Sequence, residues 1–330
     1  MQQLRTLLLG LLMTAMGVVA NDTRPADLAP YMTEHMPYDA FDRLPHEHVK
    51  VLNAELTVGF APGTIDIGRD RLLRWIENSA RIVGAYYGKF PVSSARILVV
   101  PVKGSGVRTG QSFGYRGAAT RVLVGSATTD QQLTDDWVLI HEMIHFAFPQ
   151  VEDEHVWIQE GLSTYIESVA RVQAGARHAK NVWRELVEQM PQGLPKDGDR
   201  GLDRTHTWGR TYWGGALFCL LADVEIRKRT DNRAGLQDAL RAIVNAGGVT
   251  TADWPLERAL KVGDEAVGVN VLEQLHDRYK DDPGNIDLNA LWRELGIHVS
   301  GKEITFDDSA PLAEVRKAIM RQKTGDEVMR

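Results

Sequence analysis

The stretch "DDWVLIHEMIHFAFPQ", Asp135–Gln150, places two histidines and a glutamate inside a segment that is otherwise almost entirely apolar. Its apolar residues predict a buried helix over Thr134–Phe148, with Thr134 as the N-cap and Pro149 after the end. Burying a polar side chain without a partner costs free energy. The stretch therefore predicts that its titratable side chains share a bound partner.

A metal ion is the partner that the spacing indicates. His141 and His145 are four residues apart, so their rings project from one face of the helix, one turn apart. Both can bind one metal ion, while Glu142 points about 100° around the helix. In this H-E-x-x-H pattern the glutamate takes a proton from the water that the metal activates. Two hydrogen-bonded core histidines are the alternative, because the pattern also occurs by chance.

A second stretch, "WIQEGLSTYIE", Trp157–Glu167, contains a candidate for the third ligand that a catalytic zinc site needs. Glu160 precedes Gly161, and glycine within a helix costs about 1 kcal/mol relative to alanine. We expect Gly161 to allow close packing against the histidine helix, so that Glu160 reaches the metal. Glu167 lies seven residues further along the same face and could accept the second N–H of a ligand histidine. An exposed surface glutamate is the alternative for Glu167.

These residues resemble a known group of enzymes. "HEMIH" followed by "WIQEG" resembles the zinc signature of the gluzincin metallopeptidases, and "TYWGGALFCLLADVEIRKRTDNRAGLQDALRAI", Thr211–Ile243, resembles the glycyl aminopeptidase family within that group. The resemblance implies a thermolysin-like, two-lobed α+β fold. It also implies one Zn²⁺ ion held by His141, His145 and Glu160, with Glu142 as the general base.

The same resemblance implies that Tyr212 donates a hydrogen bond to the oxyanion of the reaction. A neutral phenol, with a pKa near 10, is a good donor at neutral pH. Packing at the start of a helix is the alternative role for this tyrosine. His206, in "DRTHTWGR", is the competing candidate for the oxyanion donor.

The rest of the chain predicts how the fold is organised. Residues 21–48 show no clear period and predict a loosely ordered lead-in. Residues 49–130 predict an N-terminal α/β lobe with a mixed sheet, whose glycine-rich turn leads to an edge strand for an extended substrate. Residues 131–330 predict the zinc helix followed by a helical lobe, with the zinc site between the two lobes.

The N-terminus indicates where the protein acts. Residues 1–20, "MQQLRTLLLGLLMTAMGVVA", have a short basic start, an apolar run and small residues before a cut after Ala20. This pattern predicts a cleaved signal peptide and a periplasmic or secreted protein with no integral membrane segment after cleavage. The net charge of −6 gives no indication of a nucleic-acid partner. The resemblance to metallopeptidases implies a peptide or protein substrate. The sequence does not indicate an oligomeric state.

One segment departs from the aminopeptidase pattern. Aminopeptidases of this broad group hold the free amine of the substrate with a glutamate on a strand upstream of the zinc helix. The matching segment, "GQSFGYRGAATRVLVG", Gly110–Gly125, contains no acid, and no Asp or Glu occurs between Glu77 and Asp130. Seven cations occur in that interval, namely Arg81, Lys89, Arg96, Lys103, Arg108, Arg116 and Arg121. The segment therefore favours an endopeptidase, or a substrate with an acidic group, over an aminopeptidase.

Two other functions are compatible with these residues. One is a zinc-binding, peptide-binding protein of the cell envelope without catalysis, and the other is a zinc hydrolase of non-peptide amides. Glu142 favours an enzyme over the first of these, because zinc binding does not require that glutamate.

Overall fold

The computed structural model describes residues 26–301 and 303–322. The predicted signal peptide, residues 1–20, lies outside the described residues. Within the described part of the chain, no helix combines the length and the apolar character that crossing a membrane requires.

The chain divides into two compact units. The first contains the chain up to Ala80 together with Val92–Met143, and the second contains Arg81–Pro91 together with the chain from Ile144 onwards. The predicted boundary was residue 130, whereas this division lies between Met143 and Ile144, inside the helical segment that begins at Val138.

Hydrogen bonds tie this helical segment to other parts of each unit. Within the first unit, the Ser112 hydroxyl donates a hydrogen bond of 2.7 Å to the Glu142 carbonyl. Within the second, the Thr250 N–H donates to the Phe146 carbonyl.

A five-stranded mixed sheet forms the centre of the first unit, in the order β1-β2-β3-β5-β4. The three inner strands are parallel to one another, whereas the first and the fourth strand pair antiparallel with their neighbours. The mixed sheet confirms the predicted α+β class and leaves β4 at one edge. The strands are β1 (His46–Val51), β2 (Ala54–Phe60), β3 (Ser94–Val102), β4 (Val107–Phe113) and β5 (Ala119–Gly125).

The N-terminal part of the described chain packs into this sheet. It forms a 3-10 helix, Ala26–Tyr31, and the short helix α1, Tyr38–Phe41. The expectation of a loosely ordered lead-in was therefore wrong for these residues. Short, irregular turns give no sequence period, although each one buries apolar side chains. The buried side chains that form this part of the core are Leu28, Met36, Tyr38, Phe41, Ala61, Leu98, Val100, Phe113 and Ala119.

The histidine-bearing stretch forms a shorter helix than the predicted Thr134–Phe148. Helix α2 (Arg69–Tyr87) and the short helix α3 (Asp130–Thr134) precede this stretch. The stretch itself forms α4 (Val138–Ile144), which continues into a 3-10 turn, His145–Ala147. Thr134 ends α3 and is not the N-cap of the histidine helix. That helix is capped instead by Asp136, whose buried carboxylate accepts hydrogen bonds from two backbone N–H groups at the start of α4.

The second unit is predominantly helical, as the sequence predicts. A two-stranded antiparallel sheet and a final helix end the described chain. Its helices are α5 (Val156–Gln173), α6 (Ala179–Gln189), α7 (Gly215–Arg229), α8 (Leu236–Asn245), α9 (Leu256–Val267), α10 (Leu272–Tyr279), α11 (Leu288–Glu294) and α12 (Ala313–Ile319), and its strands are β6 (Ile297–Ser300) and β7 (Glu303–Phe306).

Two glycines let the second ligand helix, α5, cross the start of α7 with backbone against backbone. A Cβ atom on Gly161 would lie 2.2 Å from the carbonyl carbon of Gly215, and one on Gly215 would lie 2.1 Å from the Trp157 carbonyl oxygen. The expectation that Gly161 packs against the histidine helix was wrong, since its nearest neighbour is Gly215. This crossing determines where Glu160 lies relative to the chain that precedes α7.

Candidate metal centre

The two histidines of the H-E-x-x-H pattern lie on one continuous helical segment. His141 belongs to the last turn of α4, and His145 begins the 3-10 turn that follows. His141 is buried, and the edge of the Trp137 indole contacts it, with ring centroids 5.7 Å apart. Continuity of the helix presents both imidazoles on one face, as the spacing predicts.

Glu160 lies close to the second histidine. The distance from His145 Nε2 to Glu160 Oε2 is 3.7 Å, and both side chains are largely shielded from solvent. This distance exceeds hydrogen-bond length, but two ligands each about 2.1 Å from one ion lie at most about 4.2 Å apart. One ligand atom from each of His141, His145 and Glu160 lies within 4.8 Å of the others. The donor set of two imidazoles and one carboxylate fits zinc.

Glu142 lies beside the edge strand of the sheet. A Cβ atom on Gly110, in β4, would lie 2.4 Å from the Glu142 Cγ atom. Any other residue at this position would displace the glutamate, so Gly110 allows the edge strand to approach it. Ser112, two residues along β4, holds the Glu142 backbone through its hydroxyl. Sequence reasoning missed this role, although a glycine inside a strand often marks a close approach.

Tyr212 lies in a π-helical turn, Gly209–Gly214, that leads directly into α7. Such turns are rare and occur frequently at functional sites. The Tyr212 ring stacks on Trp208, with centroids 5.8 Å apart. Because Gly215 contacts Gly161, this turn lies next to the part of α5 that carries Glu160. His206 is exposed in the loop before the turn and is not one of the three residues of the metal group.

Glu167 is buried, which excludes the alternative of an exposed surface glutamate. Its carboxylate accepts a hydrogen bond of 2.7 Å from the Ser168 hydroxyl and one of 3.4 Å from Arg171. Arg171, one helical turn further along α5, is therefore the charged partner of Glu167. Its role towards a ligand histidine stays a prediction.

A second buried group of possible metal ligands lies elsewhere in the second unit. It contains His155, Asp203 and His276. Here the side chains contact one another directly: Asp203 Oδ1 lies 2.9 Å from His155 Nδ1, and Asp203 Oδ2 lies 3.3 Å from His276 Nε2. The indole N–H of Trp157 donates to the same carboxylate at 2.7 Å. These distances are hydrogen-bond lengths, unlike the 3.7 Å gap between His145 and Glu160, and they indicate a hydrogen-bonded cluster.

The pKa values in this cluster are shifted by its hydrogen bonds. Burial by itself raises the pKa of Asp203, but hydrogen bonds from His155, His276 and Trp157 outweigh this effect and hold the pKa well below its usual value. Burial by itself lowers the pKa of His155, but the hydrogen bond and the charge of Asp203 outweigh it, so the pKa is raised. Asp203 lies in the loop before the π-helical turn, His155 directly precedes α5, and His276 lies in the last turn of α10. Their hydrogen bonds therefore hold these three parts of the second unit together.

Solved structures provide a comparison for this arrangement. An aminopeptidase N family protein from Idiomarina loihiensis superimposes with a TM-score of 0.54 at 15% sequence identity, covering 78% of this chain and 50% of that one. The fold is similar to that of the aminopeptidase N family. An M1 zinc metallopeptidase from Deinococcus radiodurans gives a TM-score of 0.49 at 14% identity, covering 74% of this chain and 53% of that one.

The similarity to the aminopeptidase N fold has defined limits. The chain spans about half the length of the solved structures that it matches. No protein-family model and no curated protein matches the chain. At this level of identity the comparison shows the fold alone.

The Asp203 cluster predicts a pH-dependent contribution to stability. Replacing Asp203 with Asn should lower the free energy of unfolding by about 3 kcal/mol near pH 5.5, because the two histidines and the indole lose a buried charged acceptor. The lowered pKa of Asp203 contributes stability above its unfolded value of about 3.8, and this is lost as the pH falls. The raised pKa of His155 contributes stability below about 6.5, and this is lost as the pH rises through the folded pKa.

Urea unfolding at about pH 3, 5.5 and 8 measures this difference, which should be largest at the middle pH. Asp277→Asn is the matched control, because Asp277 is exposed and forms an ion pair with Lys280 three residues away on the surface. A difference below about 1 kcal/mol between wild type and Asp203→Asn at every pH would contradict the expected role of the carboxylate.

Proposed function

We propose that the protein is a zinc-dependent peptidase with His141, His145 and Glu160 as the metal ligands. The observation that carries the proposal is the 3.7 Å separation of His145 Nε2 and Glu160 Oε2 within a three-residue group, too long for a hydrogen bond and suited to a shared ion. When bound, zinc would act as a Lewis acid and lower the pKa of a water molecule to about 7. The ligand set of two imidazoles and one carboxylate supports zinc as the metal.

Glu142 is the proposed general base. Its carboxylate follows His141 directly in the helix, and it is buried, so it is shielded from competing solvent. It accepts a proton from the attacking water and passes this proton to the leaving amine. Tyr212 is the proposed donor to the oxyanion, since the π-helical turn lies next to the chain that carries Glu160. A donor in this role contributes about 3 kcal/mol to lowering the barrier.

Strand β4 is the proposed docking edge for the substrate. It is the terminal strand in the order of the sheet, and it passes Glu142 at Gly110. An extended peptide can add to such an edge through backbone hydrogen bonds. With its backbone held in this way, the peptide would present a carbonyl group next to the proposed base.

We propose endopeptidase action in preference to aminopeptidase action. Gly110–Gly125, which contains the end of β4, the turn after it and β5, has no carboxylate to hold a free amine. Aminopeptidase action is the alternative that the comparison favours, because the similar structure from Idiomarina loihiensis belongs to the aminopeptidase N family. A non-catalytic zinc protein and a hydrolase of non-peptide amides remain further alternatives.

We also propose that the protein acts in the periplasm or outside the cell. Residues 1–20 support this proposal, because they have the three-part pattern of a cleaved signal peptide. Mass spectrometry of the protein from an expressing cell should find a mature N-terminus at Asn21 in the extracytoplasmic fraction. An intact N-terminus in the cytoplasmic fraction would contradict the proposal.

Two substitutions should separate catalysis from metal binding. Glu142→Gln should keep one zinc per chain but lower kcat by at least about 1000-fold, because the amide cannot accept the proton. Glu160→Ala should lose most of the zinc after dialysis, because two histidines alone leave an incomplete ligand set. Metal content by mass spectrometry and cleavage of a peptide library provide the two readouts.

Glu154→Ala is the matched control, because Glu154 is a half-exposed glutamate in the short turn before α5. It should keep both zinc and activity. Retained turnover in Glu142→Gln would exclude the general-base role, and a full zinc content in Glu160→Ala would remove Glu160 from the ligand set. A zinc-loaded wild-type chain that cleaves no peptide would favour the alternatives without peptidase activity.

Cleavage at internal bonds should not require a free N-terminal amine on the peptide. Peptides with acetylated N-termini should be cleaved at internal bonds, with a kcat/KM within about threefold of that of the free peptides. The reason is that β4 and β5 offer no acidic side chain for an ammonium group. Identification of products by mass spectrometry is the measurement. Release of single N-terminal residues from free peptides only would establish the aminopeptidase alternative.

A further inference from the structure

A cluster of aromatic rings and guanidinium groups lies at the turn between β4 and β5, and we name it the Tyr115 cluster. At its centre, the Tyr115 ring is 56% exposed, although three rings contact it edge to face. Its phenol donates to the Met36 carbonyl, which fixes the ring in place. A large aromatic ring held rigidly at the surface is typical of a binding site. The members of the cluster are His35, Tyr38, Arg96, Phe113, Tyr115 and Arg116.

Two guanidinium groups give the cluster a positive charge. Arg96 and Arg116 both lie over the Tyr38 ring, at 5.4 Å and 4.7 Å from its centroid. Stacking on an aromatic ring holds a guanidinium plane in a defined direction. Asp39 lies 3.5 Å from Arg116, but both side chains are more than half exposed, so this pair contributes little.

The phenols of the cluster do not cancel this charge. Burial raises the pKa of Tyr38 to about 12, and burial also raises the pKa of Tyr115, so both remain neutral at physiological pH. No Asp or Glu occurs in the chain between Glu77 and Asp130, which includes the whole turn. A carboxylate is the group that this arrangement of fixed cations would attract.

The cluster lies along the proposed path of the substrate. Gly110 in β4 is next to Glu142, and Tyr115 is five residues further along the chain. A β-strand rises about 3.4 Å per residue, so a peptide paired with β4 would pass the cluster about five residues, or roughly 17 Å, from the bond that faces Glu142. All of these residues belong to the first unit.

We propose that the Tyr115 cluster is a substrate subsite that binds a carboxylate about five residues from the cleaved bond. The proposal rests on the proposed function. Arg96 and Arg116 pair with the carboxylate, and the Tyr115 ring packs against the stem of the same side chain. The substrate class is therefore peptides with an acidic residue at this distance.

Binding of paired peptides tests the subsite without relying on cleavage. The full chain carrying Glu142→Gln and loaded with zinc is mixed with fluorescent peptides of about twelve residues, end-blocked and neutral except for one Glu or the matching Gln. We expect Glu peptides to bind about fivefold more tightly than Gln peptides. Arg116→Gln and Arg96→Gln should each remove most of this difference, and Arg116→Lys should restore part of it.

Arg108→Gln is the matched control, because Arg108 is an exposed arginine in β4, on the other side of Gly110 from the Tyr115 cluster. It should leave the difference between Glu and Gln peptides intact. With the wild-type chain, KM should be lowest for the substrate with Glu about five residues from the cleaved bond, while kcat is unchanged.

The outcomes separate the two proposals. If the wild-type chain cleaves no peptide, the proposed function fails, while the binding comparison still decides the subsite. If peptides are cleaved, the proposed function holds. If in that case the Glu142→Gln chain binds Glu and Gln peptides alike, or binds neither, the subsite alone is excluded. If Arg108→Gln and Arg116→Gln reduce the preference for Glu peptides equally, the preference reflects general attraction to a basic surface. That result would also overturn the proposed subsite.

Discussion

The shielding of His141, His145 and Glu160 from most of the solvent is the constraint on which the candidate site depends. Titratable groups inside an apolar helix are costly unless something satisfies them, and a metal ion can satisfy all three at once. The other buried group, around Asp203, solves the same problem by direct hydrogen bonds. The length of the contacts separates the two solutions: 3.7 Å leaves room for an ion between His145 and Glu160, whereas 2.9 Å joins His155 directly to Asp203.

Glycine makes this geometry possible at two points. At Gly110 the missing side chain leaves space for Glu142, so an edge strand can pass next to the proposed base. At Gly161 and Gly215 two helices touch through their backbones, which brings the π-helical turn of Tyr212 next to the chain that carries Glu160. In both places the helix or strand loses some intrinsic stability, and tertiary packing has to offset that loss.

Several features could be predicted because they depend on local spacing. The histidine pair follows from helical periodicity, and the strands of the α/β lobe follow from their short apolar runs. The capping of the histidine helix was predicted at the wrong residue, because Thr134 and Asp136 are both good N-caps and only the turn between α3 and α4 selects one. The lead-in was mistaken for loose chain, because irregular turns such as Ala26–Tyr31 have no period to detect.

The sequence by itself determined the chemistry that is available: an H-E-x-x-H helix, a later glutamate before glycine, and an upstream segment without acids. The tertiary structure alone decided which of these side chains meet. Glu160 lies fifteen residues after His145, and a separation of that kind fixes no distance until the intervening turns are packed. The same is true of Gly110 beside Glu142, of the Asp203 cluster and of the rings around Tyr115. Contacts between residues far apart in the chain depend on how the elements pack, and local patterns carry no record of that packing.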